Sequence, residues 1–196
     1  MQPTIFLVLL TTLWNPAAEA MLRPVTKTEL ADKLAYYRSI QVLHTKFHET
    51  KTLKGMNIKI KSDGNLTVQR PNKVIWEVVQ PSPITVILDN QNVKILDGSG
   101  KTETYQMDGG AKESLKPLVA WMRLDPEELA LNYDVFAMSD NRYRFQPKET
   151  AKSPFLALQM TLKANSYVEK LEIEETSGDH LEIRFEKPRI ERSHDK

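Results

Sequence analysis

Four histidines come first, because imidazole is the side chain most readily turned to metal binding or proton transfer near neutral pH. His44 and His48 stand four apart. On a helix that spacing would suit a shared metal. In the alternating segment 42–52 the two rings are roughly 13 Å apart, too far to chelate one ion. His180 and His194 fall in a turn and in a charged tail, with no Ser/His/Asp or paired-carboxylate constellation beside either. Asp108-Gly109-Gly110 lacks the Lys and Ser/Thr of a phosphate loop, and Asn65-Leu66-Thr67 is a glycosylation sequon of the kind that chance supplies in a strand. The chain has no cysteine, which removes disulfides, thiolate metal sites, Cys nucleophiles and a lipidated Cys. Nothing here points to catalysis, a metal or a cofactor, so the chain does not read as an enzyme.

One charged residue is harder to dismiss. In residues 64–83, GNLTVQRPNKVIWEVVQPSP, Leu66, Val68, Val74, Trp76 and Val78 share one parity, and a strand would put them in a single apolar row. Arg70 falls in that row. A guanidinium on the dry side of a sheet needs an acceptor there. Trp76, and Trp121 further on, are either plain core or the lining of a cavity.

These residues need elements to position them. Residues 26–40 carry Leu30, Leu34 and Tyr37 at helical spacing, with Thr26 or Thr28 as cap. From residue 41 the period changes to two, and strands are expected at 42–52, 56–61, 65–79, 84–88 and 92–97. Turn chemistry separates them at Ser62-Asp63-Gly64, Pro81-Ser82-Pro83, Asp89-Asn90 and Asp97-Gly98-Ser99-Gly100. Between 109 and 132 the pattern is helical again, with Leu115, Leu118, Val119 and Met122 on one side and Asp125-Pro126-Glu127-Glu128 opening a second short helix. Strands resume at 133–138, 141–147, 155–164, 168–176 and 180–185, and the charged tail 186–196 is expected to fray. The fold class is mainly β (α+β): an incomplete, strongly curved antiparallel β-barrel covered by an α-helical lid. Shared parity then predicts a cavity lined by Val68, Val74, Trp76, Val78, Val86, Val93 and Ile95, with Leu118 and Trp121 or Met122 from the lid.

Composition sets the boundaries. Residues 1–20, MQPTIFLVLLTTLWNPAAEA, hold an apolar run of signal-peptide length with Ala18-Glu19-Ala20 at its end, so cleavage after Ala20 is expected; a retained anchor is the alternative. Residues 21–196 are enough for one domain. With 27 Lys+Arg against 26 Asp+Glu, no basic surplus favours nucleic acid.

The run Gly64-x-Leu66-x-Val68-x-Arg70-Pro71-Asn72-x-x-x-Trp76-Glu77, followed by Gln80-Pro81 and a hairpin from Asp89 to Val93, resembles the LolA family of periplasmic lipoprotein carriers. The resemblance continues through YRFQPKE (143–149), LQMTL (158–162) and VEKLEIEETSGDHLEIRFE (168–186). It implies a soluble, monomeric periplasmic carrier whose cavity takes the acyl chains of lipoproteins or related lipids and shuttles them from inner to outer membrane. Its expected partners are an inner-membrane release transporter (LolCDE-like) and an outer-membrane acceptor (LolB-like). The arginine of the motif holds the lid shut through lid backbone in that family, a role that falls on Arg70; the motif's Trp, lining the cavity, falls on Trp76. An alternative is a LolA-like accessory protein presenting a lipid-linked intermediate to an envelope biosynthesis or export system. A filled-core protein with Arg70 paired to a buried carboxylate is the third reading.

Overall fold

The computed structural model describes residues 22–89, 92–106, 124–148, 153, 155–163 and 167–192. Thirteen strands form one antiparallel sheet: β1 (Arg23–Pro24), β2 (Ile40–Leu53), β3 (Ile58–Gln69), β4 (Lys73–Gln80), β5 (Ile84–Leu88), β6 (Asn92–Asp97), β7 (Thr102–Gln106), β8 (Tyr133–Ser139), β9 (Arg142–Pro147), β10 (Phe155–Lys163), β11 (Tyr167–Glu175), β12 (His180–Phe185) and β13 (Arg189–Arg192). Their order is β1-β8-β9-β10-β11-β12-β2-β3-β4-β5-β6-β7, with β13 also on β2. The sheet does not close: β1 and β7 are its two ends, as an incomplete barrel requires.

Among the described residues three short helices accompany it: α1 (Lys27–Lys33), α2 (Ala35–Arg38) and α3 (Pro126–Asn132). The Thr26 hydroxyl accepts from the Glu29 N–H at 3.2 Å and starts α1. The helix expected across 26–40 is broken at Leu34, whose backbone (φ −95°, ψ 4°) ends α1 and opens α2. Leu30, Leu34 and Tyr37 nevertheless keep the four- and three-residue spacing that puts them on one side, and all three are buried in the main core with Leu129 of α3 and Phe145, Met160 and Leu171 of the sheet. Each such side chain contributes roughly 1.5–3 kcal/mol of burial free energy. The opposite face of β9–β12 is charged, and Arg142–Glu172 (3.2 Å) and Arg144–Glu174 (3.1 Å) cross its strands.

Four expectations need correction. Ser62-Asp63-Gly64 is not a turn: β3 runs straight through it, with a bulge between Asp63 and Gly64 against β4. The turn lies instead at Arg70-Pro71-Asn72, so the strand expected over 65–79 is two strands joined by a hairpin. The tail does not fray at 189–192: those residues form β13, pairing Ile190 with Leu43 and Arg189 with His44. Thr102–Gln106, where no strand is expected, is strand β7. Residues 1–20, expected to be a signal peptide, and Leu118, Trp121 and Met122, expected in the lid, lie outside the described residues.

Candidate functional site

Because directly paired residues of antiparallel strands share a face, the register can be read as rows across the sheet. Leu43, Val68, Val74, Leu88, Val93 and Tyr105 make one row. Thr45, Leu66, Trp76, Val86 and Ile95 make the next, and Phe47, Gly64, Val78 and Ile84 the third. All seven strand candidates, Val68, Val74, Trp76, Val78, Val86, Val93 and Ile95, therefore stand on one face. They do not form one group there. Val74 and Val93 are buried with Leu88, and Leu66, Val68, Val86 and Ile95 pack around them. Trp76 and Val78 pack on the main core.

The aromatic group at the seam was not anticipated. Phe47 is fully buried and stacks on Trp76, centroids 4.1 Å apart and planes at 26°. Phe185 meets the edge of Trp76 at 6.3 Å and 87°. The parity of Leu43, Thr45 and Phe47 with the apolar face carried the signal for Phe47; only the β12–β2 pairing brings in Phe185.

An apolar cavity of about 50 Å³ opens next to this group. Its walls come from Tyr37 of α2, Leu43 and Thr45 of β2, Leu66 and Val68 of β3, Leu124 ahead of α3, Val168 of β11, and Phe185, Glu186 and Pro188 at the break between β12 and β13. Of the expected lining among the described residues, only Val68 reaches it. The Thr45 hydroxyl donates to the Glu186 carbonyl at 2.8 Å, closing that side. A liquid-water molecule occupies about 30 Å³, so this space is far smaller than an acyl chain.

Arg70 sits in the β3–β4 turn at the end of the Val68/Val74 row, its amide donating to the Gln41 carbonyl at 2.9 Å. Burial draws its guanidinium below the ordinary value, and the Asp125 carboxylate opposes that shift. Asp125 is the N-cap of α3, accepting from Glu127 N–H at 2.8 Å and Glu128 N–H at 3.3 Å. The sequence showed Asp125 only as a helix opener. Its electrostatic influence on Arg70, 55 residues away in sequence, had no local signal.

Elsewhere, His44 Nδ1 lies 2.9 Å from the Thr67 hydroxyl, and His48 lies between Asp63 (2.6 Å) and Glu186 (3.3 Å). The hydrogen bond with Asp63, then that with Glu186, raises the His48 pKa despite the opposing effect of burial. Among the described residues no group of three His, Asp or Glu is placed to hold a metal ion.

The described residues form an open antiparallel half-barrel with helices seated against its apolar face. The chain belongs to the family described as outer membrane lipoprotein carrier protein LolA, whose model matches residues 38–196. An outer-membrane lipoprotein carrier protein from Xylella fastidiosa (strain 9a5c) is 29% identical over 112 residues, 57% of this chain and 52% of that protein. The match thus spans about half the length of that relative. Among solved structures, the chain is similar to a LolA superfamily protein from Nitrosomonas europaea (9% identity, 87% of this chain and 96% of the other, TM-score 0.46). It is also similar to the lipoprotein LppX from Mycobacterium tuberculosis (10% identity, 83% and 93%, TM-score 0.42). Among the described residues no helix is long and apolar enough to cross a membrane.

Proposed function

We propose that this protein is a periplasmic carrier that takes the acyl chains of lipoproteins, or related lipids, between the apolar rows of its sheet and its helices. It receives them from an inner-membrane release transporter and yields them to an outer-membrane acceptor. The observation that carries this reading is the apolar face itself: rows of strand side chains run across an open sheet, and the helix residues Leu30, Leu34 and Leu129 are buried with its core. Family membership supports it.

Release, not uptake, is the thermodynamic difficulty. Each methylene moved from water gains roughly 0.8 kcal/mol, so a long acyl chain contributes on the order of 10 kcal/mol. A carrier must stabilise its empty closed state to hand such a ligand on. The small cavity fits that closed state, and opening draws the Asp125 cap away from Arg70. Arg70 is thus a latch and Asp125 its catch, and the apolar rows are the lining exposed on opening.

Native mass spectrometry of protein from its own periplasm tests cargo binding directly: an acyl adduct is expected. Arg70→Leu tests the latch. It should keep uptake or strengthen it and slow transfer to an acceptor, while Arg70→Lys, without the planar fork of donors, restores transfer only in part. A large loss of melting temperature with transfer per folded molecule unchanged would assign Arg70 a purely structural role.

A further inference from the structure

At the end of the sheet remote from Arg70, the β2–β3 hairpin carries an unusual surface. β4 follows β3 only to the Asp63–Gln80 pair, so residues 58–62 have β2 on one side and no described strand on the other. Met56, Ile58 and Ile60 on this stretch are exposed, by 64%, 46% and 42%. Single exposed apolar residues are ordinary; three within five residues at a hairpin tip are not.

Along the hairpin itself the charge has one sign. Residues 50–61 contain four lysines and no acid. Lys51 is engaged by Glu175 at 2.9 and 3.1 Å. Lys54, Lys59 and Lys61 are exposed, and none forms an ion pair with a described residue. The tip is also held in place: the Lys54 amide donates to Asp179 Oδ1 of the adjoining β11–β12 hairpin at 3.0 Å, and Asn57 takes the left-handed backbone (φ 53°) that asparagine tolerates.

We propose that this hairpin docks the protein end-on against an anionic phospholipid surface. Met56 stands in the turn, and Lys59 is the second residue of the strand behind it. Met56 then reaches the acyl boundary while Lys54 and Lys59 stand at the phosphates, the arrangement of interfacial anchors that pair an apolar side chain with basic flanks. An added partner strand fits the free edge less well, because lysines alternating along an edge oppose strand addition.

The proposal stands apart from the cargo reading and is tested without cargo. The purified chain and two variants in the same background are sedimented with phosphatidylcholine vesicles, with and without phosphatidylglycerol, over a range of salt. Binding is expected only with phosphatidylglycerol and should fall as salt rises. Replacing Lys54, Lys59 and Lys61 together by Gln should lower partitioning by up to about 100-fold, roughly fivefold per lysine. Met56→Ser with Ile58→Thr and Ile60→Thr should lower it as well; all six positions are exposed, and circular dichroism checks the fold. Equal binding by the lysine variant, equal binding to phosphatidylcholine alone, or no binding at low salt would overturn the proposal. Self-association without vesicles that both variants abolish would assign the surface to chain–chain contact instead, and overturn it too.

Discussion

Gly64 offers the sharpest test of the packing beneath the apolar face. It pairs with Phe47 on one side and Val78 on the other, next to the bulge that leaves Val79 exposed. A Cβ built on Gly64 would stand 2.1 Å from the Glu77 carbonyl oxygen, 2.4 Å from Phe47 Cζ and 2.7 Å from Phe47 Cε1. The ring has little room to tilt, because it is fully buried and stacked on Trp76. The carbonyl belongs to the backbone of a paired strand and yields only if β4 moves. Overpacking of this kind costs typically 1–3 kcal/mol, and two obstacles place Gly64→Ala at the upper end, about 3 kcal/mol. For a chain of this size that lowers the melting temperature by about 6–12 °C, read by thermal denaturation followed by circular dichroism. Combining it with Phe47→Leu, which withdraws the ring and leaves the carbonyl, should recover part of the loss beyond additivity. A single Gly64→Ala variant melting within about 1 °C of the parent would refute the argument, since no local adjustment relieves both contacts at once.

Three further outcomes follow from named contacts. Asp125→Ala removes the acceptor for two α3 amides and the charge facing Arg70; it should cost about 1–2 kcal/mol in a denaturant titration, and in combination with Arg70→Leu the losses should be less than additive. Tyr133 is 2% exposed and its hydroxyl has no hydrogen-bond partner among the described residues; Tyr133→Phe should leave the melting temperature unchanged or raise it by a few degrees, because it removes an uncompensated buried polar group. Burial raises the pKa of Glu49, with Lys51 opposing. A raised folded-state pKa means stability that is present at low pH and lost as pH rises through that value. Glu49→Gln should therefore raise the melting temperature at neutral pH, and the gain should disappear as pH falls below about 4.3, the ordinary glutamate value.

The strand-rich, helix-covered architecture was legible because most of its elements carry their own pattern: Asn92-Val93-Lys94-Ile95 alternates cleanly, and Asp125-Pro126-Glu127-Glu128 announces α3 with a cap and a first-turn proline. The errors share one cause, a dependence on partners far away in sequence. Ser62-Asp63-Gly64 has the composition of a turn, but Gly64 is there because the Phe47 ring covers it, a fact that belongs to the β2–β3 pairing. Arg70 shares parity with Val68 and Val74 by count alone: with a three-residue turn between them, the strand residues keep one face while Arg70 leaves the row. β7 offers a single apolar residue, Tyr105, and β13 only Ile190, too little for a period of two to register. Parity put the seven strand positions on one face, and the register has them on one face. It held no information on which of them adjoin open space, which depends on where α2, Leu124 and the β12–β13 break fall over the sheet.

The pairing of β2 with β12 and β13 also sets the order in which the molecule assembles. From β2 to β7, each strand pairs with its immediate successor, so this half forms through short loops and fast local steps. The second half, β8 to β12, is likewise a run of successive neighbours. The two are joined only where β2 meets β12, in pairs such as Phe47 with Phe185, 138 residues apart. Closing that seam requires most of the chain to be present, and a vectorially emerging polypeptide exposes the β2 edge until residues 180–192 arrive. Amides of β2 should accordingly gain protection from hydrogen exchange late in refolding, after those of the β4–β5 and β5–β6 hairpins, and a chain stopped before residue 180 should present an unpaired fourteen-residue edge that is prone to aggregate.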